Sequence, residues 1–280
     1  MKKFMKVCAI LALILIVSGV AMATISGAIL GPIAFSQLRS YLQGLDMEAY
    51  YNLEDHMSFD SYYTVFQGDT EQSFSAEEVQ SLNVNAGACQ LVIEQSPDDK
   101  FHVEVQQAGK YQGYVNGKKL YIKAAGKTRL GGGNDVCRIR LCVPEAFIFE
   151  EIELSLGAGQ ITGKTDLQVQ NMEIELGAGE IDLSALTAGE LEAEVGMGAL
   201  TVKGDIRQKA KIECAMGSIQ MTLAGSKSDY NYQVETAAGD VNIGGQSFAG
   251  VAGEWNMSND STRDVSVECA MGSIIISFLE

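Results

Sequence analysis

The side chains of this sequence whose spacing suggests chemistry are carboxylates. Glu175, Glu194, Glu213 and Glu235 each stand four residues before a glycine that closes a recurring phrase, and Ser155 and Glu268 hold the same place in two further copies. Two positions earlier come Glu153, Glu173 and Glu192, then Lys211, Gln233 and Ser266. All of them alternate with apolar residues, so on a strand they face away from whatever the apolar ones bury. If the phrases stack, the acids fall into two columns at steps of roughly 5 Å. Such a ladder can gather cations or receive a basic partner through its field. It also reads as a solvated face whose charge keeps sheet edges from associating.

Other chemistry finds little support. His56 and His102 lie in different segments, and neither has a second histidine, a cysteine or a paired carboxylate at metal-ligand spacing. No G-x-S-x-G nucleophile motif accompanies them. "LGGGND" from Leu130 lacks the Lys-Ser/Thr of a phosphate loop, and "SNDSTRD" from Ser258 lacks the D-x-D-x-D-G calcium spacing, so it reads as a surface loop. An acidic chain always offers some carboxylate pair at glycosidase separation, and nothing singles one out. The expectation is a protein without catalytic activity, metal or cofactor. Of the six cysteines, Cys8 lies in an apolar segment. Cys89, Cys214 and Cys269 fall on inward strand positions, and Cys137 and Cys142 point to opposite faces of one strand. No C-x-x-C occurs, and no pair reads as a disulfide. A Cys214–Cys269 bridge is possible in principle because both hold the same place in the phrase, but the insertion between them leaves their separation open.

The elements that must position the ladder are repeats. "LGAGQITG", "LGAGEIDL", "VGMGALTV", "CAMGSIQM", "TAAGDVNI" and "CAMGSIII" put the closing glycines at Gly159, Gly179, Gly198, Gly217, Gly239 and Gly272, in steps of 20, 19, 19, 22 and 33 residues. Apolar residues alternate before each glycine (Ile152, Leu154, Leu156; Met172, Ile174, Leu176) and again after it (Ile181, Leu183; Leu200, Val202). Period two on both sides predicts a strand, a tight corner and a second strand per unit. A period near 20 predicts a parallel β-solenoid with one late insertion, and it excludes a propeller. Glycine at the corner suits positive φ and the close approach of stacked copies. The small or flexible residues before it, Ala158, Ala178, Met197, Met216, Ala238 and Met271, suit the inside of a bend. An earlier copy, "LNVNAGACQLVIEQS", predicts a corner at Gly87. Further alternating segments, with a hairpin at Asn116-Gly117, make residues 76–151 antiparallel strands that lead into the solenoid and cover its first layer.

In these marks the chain resembles the DUF4097 family. The resemblance runs from about residue 78 to 280 and rests on "VQSLNVNAGACQLVIEQSPDDKFHVEV", "GKKLYIK", "CRIRLCVPEAFIFEEIELSLGAGQI", "SDYNYQVETAAGDVNIGG" and "VSVECAMGSIIISF". It implies an all-β bacterial solenoid whose relatives carry the label of adhesins by analogy, with no shared catalytic motif.

A net charge of −16 over 280 residues repels nucleic acid and argues against it as a partner. Lys2, Lys3 and Lys6 precede 24 uncharged, largely apolar residues from Val7 to Leu30, enough to cross a bilayer as a helix with its basic end inside. Residues 1–6 then form a cytoplasmic tail, 7–35 a signal anchor, 36–75 a linker or stalk, 76–151 the first β part and 152–280 the solenoid. The competing reading is a cleaved signal with its site at Ala21-Met22-Ala23, which makes the protein secreted. The apolar run continuing through Ile25, Ile29, Leu30, Ile33 and Phe35 favours the anchor. Six aromatics between Tyr50 and Phe66 rest at the membrane interface or cover the first rung. The functional expectation is a single-pass membrane protein displaying an adhesin-like binding or structural module to a protein or carbohydrate ligand outside the cell. The alternative is an envelope-stress or regulatory component that senses a ligand and acts through a membrane partner. N-terminal sequencing of membrane-extracted protein is expected to find residues 1–23 in place; a chain beginning at Thr24 would replace the anchor with a secreted protein.

Overall fold

The structure is a computed structural model that describes residues 59–126, 136–249 and 253–279. The apolar segment at 7–35, His56 and "LGGGND" lie outside the described residues. No helix among the described residues is long and apolar enough to cross a membrane. Strands dominate: β1 (Phe66–Ser75), β2 (Ser81–Gln95), β3 (Lys100–Asn116), β4 (Lys119–Ala125), β5 (Cys137–Val143), β6 (Ile148–Gly163), β7 (Leu167–Leu176), β8 (Glu180–Val195), β9 (Ala199–Cys214), β10 (Ser218–Ala224), β11 (Asn231–Thr236), β12 (Asp240–Ile243), β13 (Gln246–Ala249), β14 (Gly253–Met257), β15 (Asp264–Cys269) and β16 (Ser273–Leu279).

Each repeat is a rung, with one segment before its corner and one after. The segments before the corner stack in parallel as β4, β2, β6, β7, β8, β9, β15 and β11. Those after it stack as β5, β2, β6, β8, β9, β10, β16 and β12. The apolar phase of every strand points to one shared core, in which Leu82, Ile152, Ile174, Ala193, Ile212, Val267 and Val234 are all at most 1 % exposed. Burying a large aliphatic side chain contributes about 1.5–3 kcal/mol, and no single rung encloses its own. Of the strands expected to be antiparallel in residues 76–151, only β3 is; β2, β4 and β5 stack in parallel as rungs, and β6 runs unbroken through residues 151 and 152, so no boundary falls there.

Both ends are closed by antiparallel strands, which deny a neighbour the open edge of the stack. At one end β3 runs against β4 and β5, and β1 runs against β3. Residues 66–75 are therefore a strand rather than the end of a linker. The aromatics before it cover this end: Tyr63 stacks on Tyr114 at 3.7 Å, and buried Gln112 holds the segment by donating to Asp60 O and Tyr63 O at 2.7 and 2.9 Å. At the other end β13 and β14 run against β12 and β11. The residues expected as a plain insertion are thus the cover of the far end, where Phe248 and Trp255 meet edge to face at 5.6 Å.

That cover reorders the rungs. Gly244 and Gly245, both with positive φ (55° and 81°), turn β12 back on itself as the hairpin to β13. The rung that carries this hairpin must be the last in space. The chain therefore leaves a place empty after β9–β10 and fills it at the end with β15–β16. Simple sequential stacking, expected from the repeat, holds only as far as β10. The other end also departs from chain order: β2 lies between β5 and β6, although β3, β4 and β5 separate it from β6 in sequence.

The corners correct two further expectations. Positive φ occurs at Gly159 (121°) and Gly179 (134°) but not at Gly198, Gly217, Gly239 or Gly272. What those four share is crowding: a Cβ on Gly217 would lie 2.3 Å from Gly198 O, and one on Gly272 2.5 Å from Gly217 O. Gly87 is not their counterpart, because Ala88 pairs with Ala158 and Cys89 with Gly159, which sets Gly87 level with Gly157. The residues before the corner glycines do not all turn inward either; Met197 and Met271 are 40 % and 49 % exposed.

At Gly179 both demands coincide, since a Cβ there would also lie 2.3 Å from Gly159 O. Gly179→Val is expected to cost about 3 kcal/mol or more and to lower the melting temperature by at least about 5 °C. Glu180→Gln, on an exposed neighbour, should leave it unchanged. Calorimetry of the two variants beside the parent checks this, and equal melting of Gly179→Val and the parent would contradict the assigned register.

Candidate functional site: an acidic ladder

Strand pairing places Ser155 beside Glu175, Glu175 beside Glu194 and Glu194 beside Glu213. The next neighbour of Glu213 is Glu268, and Glu235 follows only after it. Glu213 and Glu235 are thus not on adjacent rungs, because the last rung of the sequence occupies the place between them. Beyond Glu235 the antiparallel β14 contributes Glu254. The file therefore holds glutamates on six adjacent strands, β7, β8, β9, β15, β11 and β14. Glu254 escaped the sequence reading because it follows no corner phrase, and only the antiparallel pairing brings it into line.

The second file reads Asn83, Glu153, Glu173, Glu192, Lys211, Ser266 and Gln233 across the same strands. Two lysines work inside this face. Lys211 Nζ lies 2.7 Å from Glu192 Oε1 and 2.6 Å from Glu213 Oε1, and these two carboxylates raise its pKa. Lys119 Nζ bridges Glu151 and Glu153 at 2.5 and 2.7 Å. A shallow pocket of about 160 Å³ opens beside them, lined in part by Glu151, Glu173, Glu190, Glu192, Lys209 and Lys211. Among the described residues, no cation pairs with Glu194 or Glu268. Glu175 accepts from Ser155 Oγ at 3.0 Å, and Glu235 from Gln233 Nε2 at 3.2 Å.

The ladder alters the titration of its members. Partial burial between rungs, then the charges of Glu213 and Glu175, push Glu194 above the ordinary carboxylate value. Burial followed by Glu213 and Glu235 does the same to Glu268, and burial followed by Glu175 and Glu153 to Glu173. Glu192, Glu194 and Glu213 bring carboxylate oxygens within 4.8 Å of one another, close enough to share a cation. Lys211 already supplies two of them with one.

A second constellation joins residues that sequence separation had kept apart. Ser73 on β1 pairs with His102 on β3, and Ser73 Oγ lies 2.9 Å from His102 Nδ1. His102 Nε2 lies 2.8 Å from Asp98 Oδ1. With the proton on Nε2, this is the order of a serine hydrolase relay. Its setting differs from one. The Asp98 side chain is 51 % exposed, and its Oδ1 also accepts from Lys100 N at 3.0 Å and Ser96 Oγ at 3.3 Å, closing the turn between β2 and β3. The hydrogen bond from His102 holds Asp98 below the usual carboxylate range. Ser73 stands on an exposed strand face in water, where such a relay is screened. The "SNDSTRD" loop is likewise engaged internally: Asn259 Nδ2 donates to Tyr230 O at 2.6 Å, and Arg263 Nη1 donates to Asp205 Oδ1 at 3.2 Å.

Stacked parallel rungs with antiparallel covers fit the sequence resemblance, and a family comparison decides it: the model of the Toastrack DUF4097 family matches residues 79–222 and 150–277. The chain belongs to the Toastrack DUF4097 family. No curated protein matches it. Solved structures similar to this Toastrack chain include a proposed cell adhesion protein from Clostridium sporogenes, 16 % identical, covering 75 % of this chain and 99 % of its own, with a TM-score of 0.42. A proposed adhesin from Bacteroides fragilis is 10 % identical over 75 % of this chain and 98 % of its own, with a TM-score of 0.31. A proposed lipid binding protein from Parabacteroides distasonis is 14 % identical over 77 % and 99 %, with a TM-score of 0.37. At this distance no ligand or activity transfers to the Toastrack chain.

The raised pKa values have a definite sign. For Glu173, Glu194 and Glu268 the folded value exceeds the unfolded one near 4.5, so the stability they contribute is complete below that pH and is lost as pH rises through the folded values. Melting followed from pH 7 down to about pH 4.5 is expected to show this contribution as a rise. Glu194→Gln with Glu268→Gln should flatten it and raise the melting temperature at pH 7. Identical pH profiles for parent and double variant would remove the ladder repulsion.

Proposed function

We propose that this protein is a non-catalytic binding module, held at the membrane by a helix at 7–35, that presents its acidic ladder outside the cell as a docking face for a polycationic partner. The observation that carries this reading is the unbroken file Glu175, Glu194, Glu213, Glu268, Glu235, Glu254 on a rigid stack of paired strands. Lys211 illustrates the chemistry within the chain itself, with one ammonium seated between carboxylates of adjacent rungs. Beyond it, Glu268, Glu235 and Glu254 offer the same spacing with no lysine or arginine of the described residues paired to them. A partner with amino groups at extended-peptide or polyamine spacing can repeat that contact along the file. The basic residues before the apolar segment support an outward-facing C-terminal part.

A fluorescent oligolysine peptide titrated against the detergent-solubilised full chain tests this. Replacing Glu235, Glu254 and Glu268 with glutamine is expected to weaken binding at least about tenfold, with a shallower salt dependence. Replacing Glu77, Glu78 and Glu145 removes the same charge elsewhere and should weaken it far less. Equal losses in the two triple variants would show general attraction to an acidic protein and reject the ladder as the site.

A further inference from the structure

The two departures from sequential stacking share a feature. Where β15 enters beside β9, Cys269 pairs directly with Cys214. Where β2 lies against β5, Cys89 pairs directly with Cys137. All four side chains are at most 2 % exposed. In the file that holds Cys214, the earlier rungs carry Leu156, Leu176 and Val195, so the thiols replace bulky aliphatics at two rungs that the late insertion makes neighbours.

We propose that Cys214 and Cys269 are a disulfide site that staples the last rung of the sequence into its out-of-order place. Directly paired residues on neighbouring strands have Cα atoms about 4.8 Å apart, inside the range of about 4.4–6.8 Å that disulfides span. The 33-residue step from Gly239 to Gly272, which left this pairing open in the sequence, is no obstacle. The intervening residues form the cover beyond β11 and β12 and do not lie between the cysteines. The corner glycines leave room for the sulfurs: a Cβ on Gly272 would lie 2.4 Å from Cys214 Sγ, and one on Gly239 2.3 Å from Cys269 Sγ. The two thiols interact side chain to side chain, and each also accepts from two backbone N–H groups, Cys214 from Gly217 and Ser273 and Cys269 from Gly272 and Asp240.

The reaction needs a disulfide acceptor, either a low-molecular-weight disulfide or an oxidoreductase. One of the two cysteines, as its thiolate, attacks one sulfur of the acceptor and expels the other as a thiol. Its partner, losing its proton, then attacks the protein sulfur of the mixed disulfide, forms the Cys214–Cys269 bond and releases the second thiol. Two thiols are oxidised and one acceptor disulfide is reduced.

The purified full chain is incubated with oxidised glutathione, trapped with N-ethylmaleimide in denaturant and digested with trypsin without reduction. The expected product is peptide 212–227 linked to peptide 264–280, separating on addition of dithiothreitol. The oxidised chain should melt at least about 5 °C above the reduced one. In Cys214→Ala and in Cys269→Ala, each small enough for the site, oxidised glutathione should no longer raise the melting temperature through this pair, which a purely packing role for the thiols would not predict. Recovery of both peptides only as separate maleimide or glutathione adducts would overturn the proposal.

Discussion

The structure depends on one constraint, the approach of backbone to backbone where the chain turns each corner. Ala178 N donates to Gly157 O at 2.8 Å, Met197 N to Gly177 O at 2.8 Å, Met216 N to Gly196 O at 2.8 Å and Met271 N to Ala215 O at 2.8 Å. The ladder of hydrogen bonds therefore continues around the bend instead of stopping at it. A side chain on the corner glycine would stand inside the preceding rung's carbonyl, as at Gly179 and Gly217, and all six phrases keep glycine there. Continuous pairing holds each strand level with the last, and level strands make the core a column and the acids a file.

The same levelling has an electrostatic cost. In a loop, glutamates would separate; in a stack they cannot, and burial between rungs, then the charge of neighbouring carboxylates, raises the pKa of Glu173, Glu194 and Glu268. Lys211 and Lys119 offset part of it by standing between carboxylates. The remaining charge gives the face a negative field that attracts cations and discourages edge-to-edge association of copies.

Both ends show how a solenoid with open edges closes itself. Each antiparallel cover must join the outermost rung through a tight turn, so that rung has to reach the end before the chain has finished stacking. At the far end the later β15–β16 then fills the place left behind, whereas at the near end the earlier β2 already holds it. The result ties residues distant in sequence across neighbouring strands, Cys214 with Cys269 and Cys89 with Cys137, and it joins the C-terminal strand to the interior of the stack instead of leaving it at a fraying edge.

The sequence by itself determined the local chemistry of this protein. Alternation of Ile152, Leu154 and Leu156 with Glu153 and Ser155 dictates a strand with one buried face, because successive side chains of an extended chain point opposite ways. The recurrence of Gly159, Gly179, Gly198 and Gly217 at nearly constant spacing dictates stacked corners. From these the acidic columns could be read through Glu213. What only the tertiary structure decided is which rung lies beside which. Glu268 separates Glu235 from Glu213, Glu254 joins the file, Gly87 stands level with Gly157, and Ser73 meets His102. Every one of these depends on pairing between segments far apart in the chain. Parallel rungs with equivalent apolar faces fit one another in more than one order, so local pattern cannot choose among the orders. The need to cover both open edges of the finished stack does.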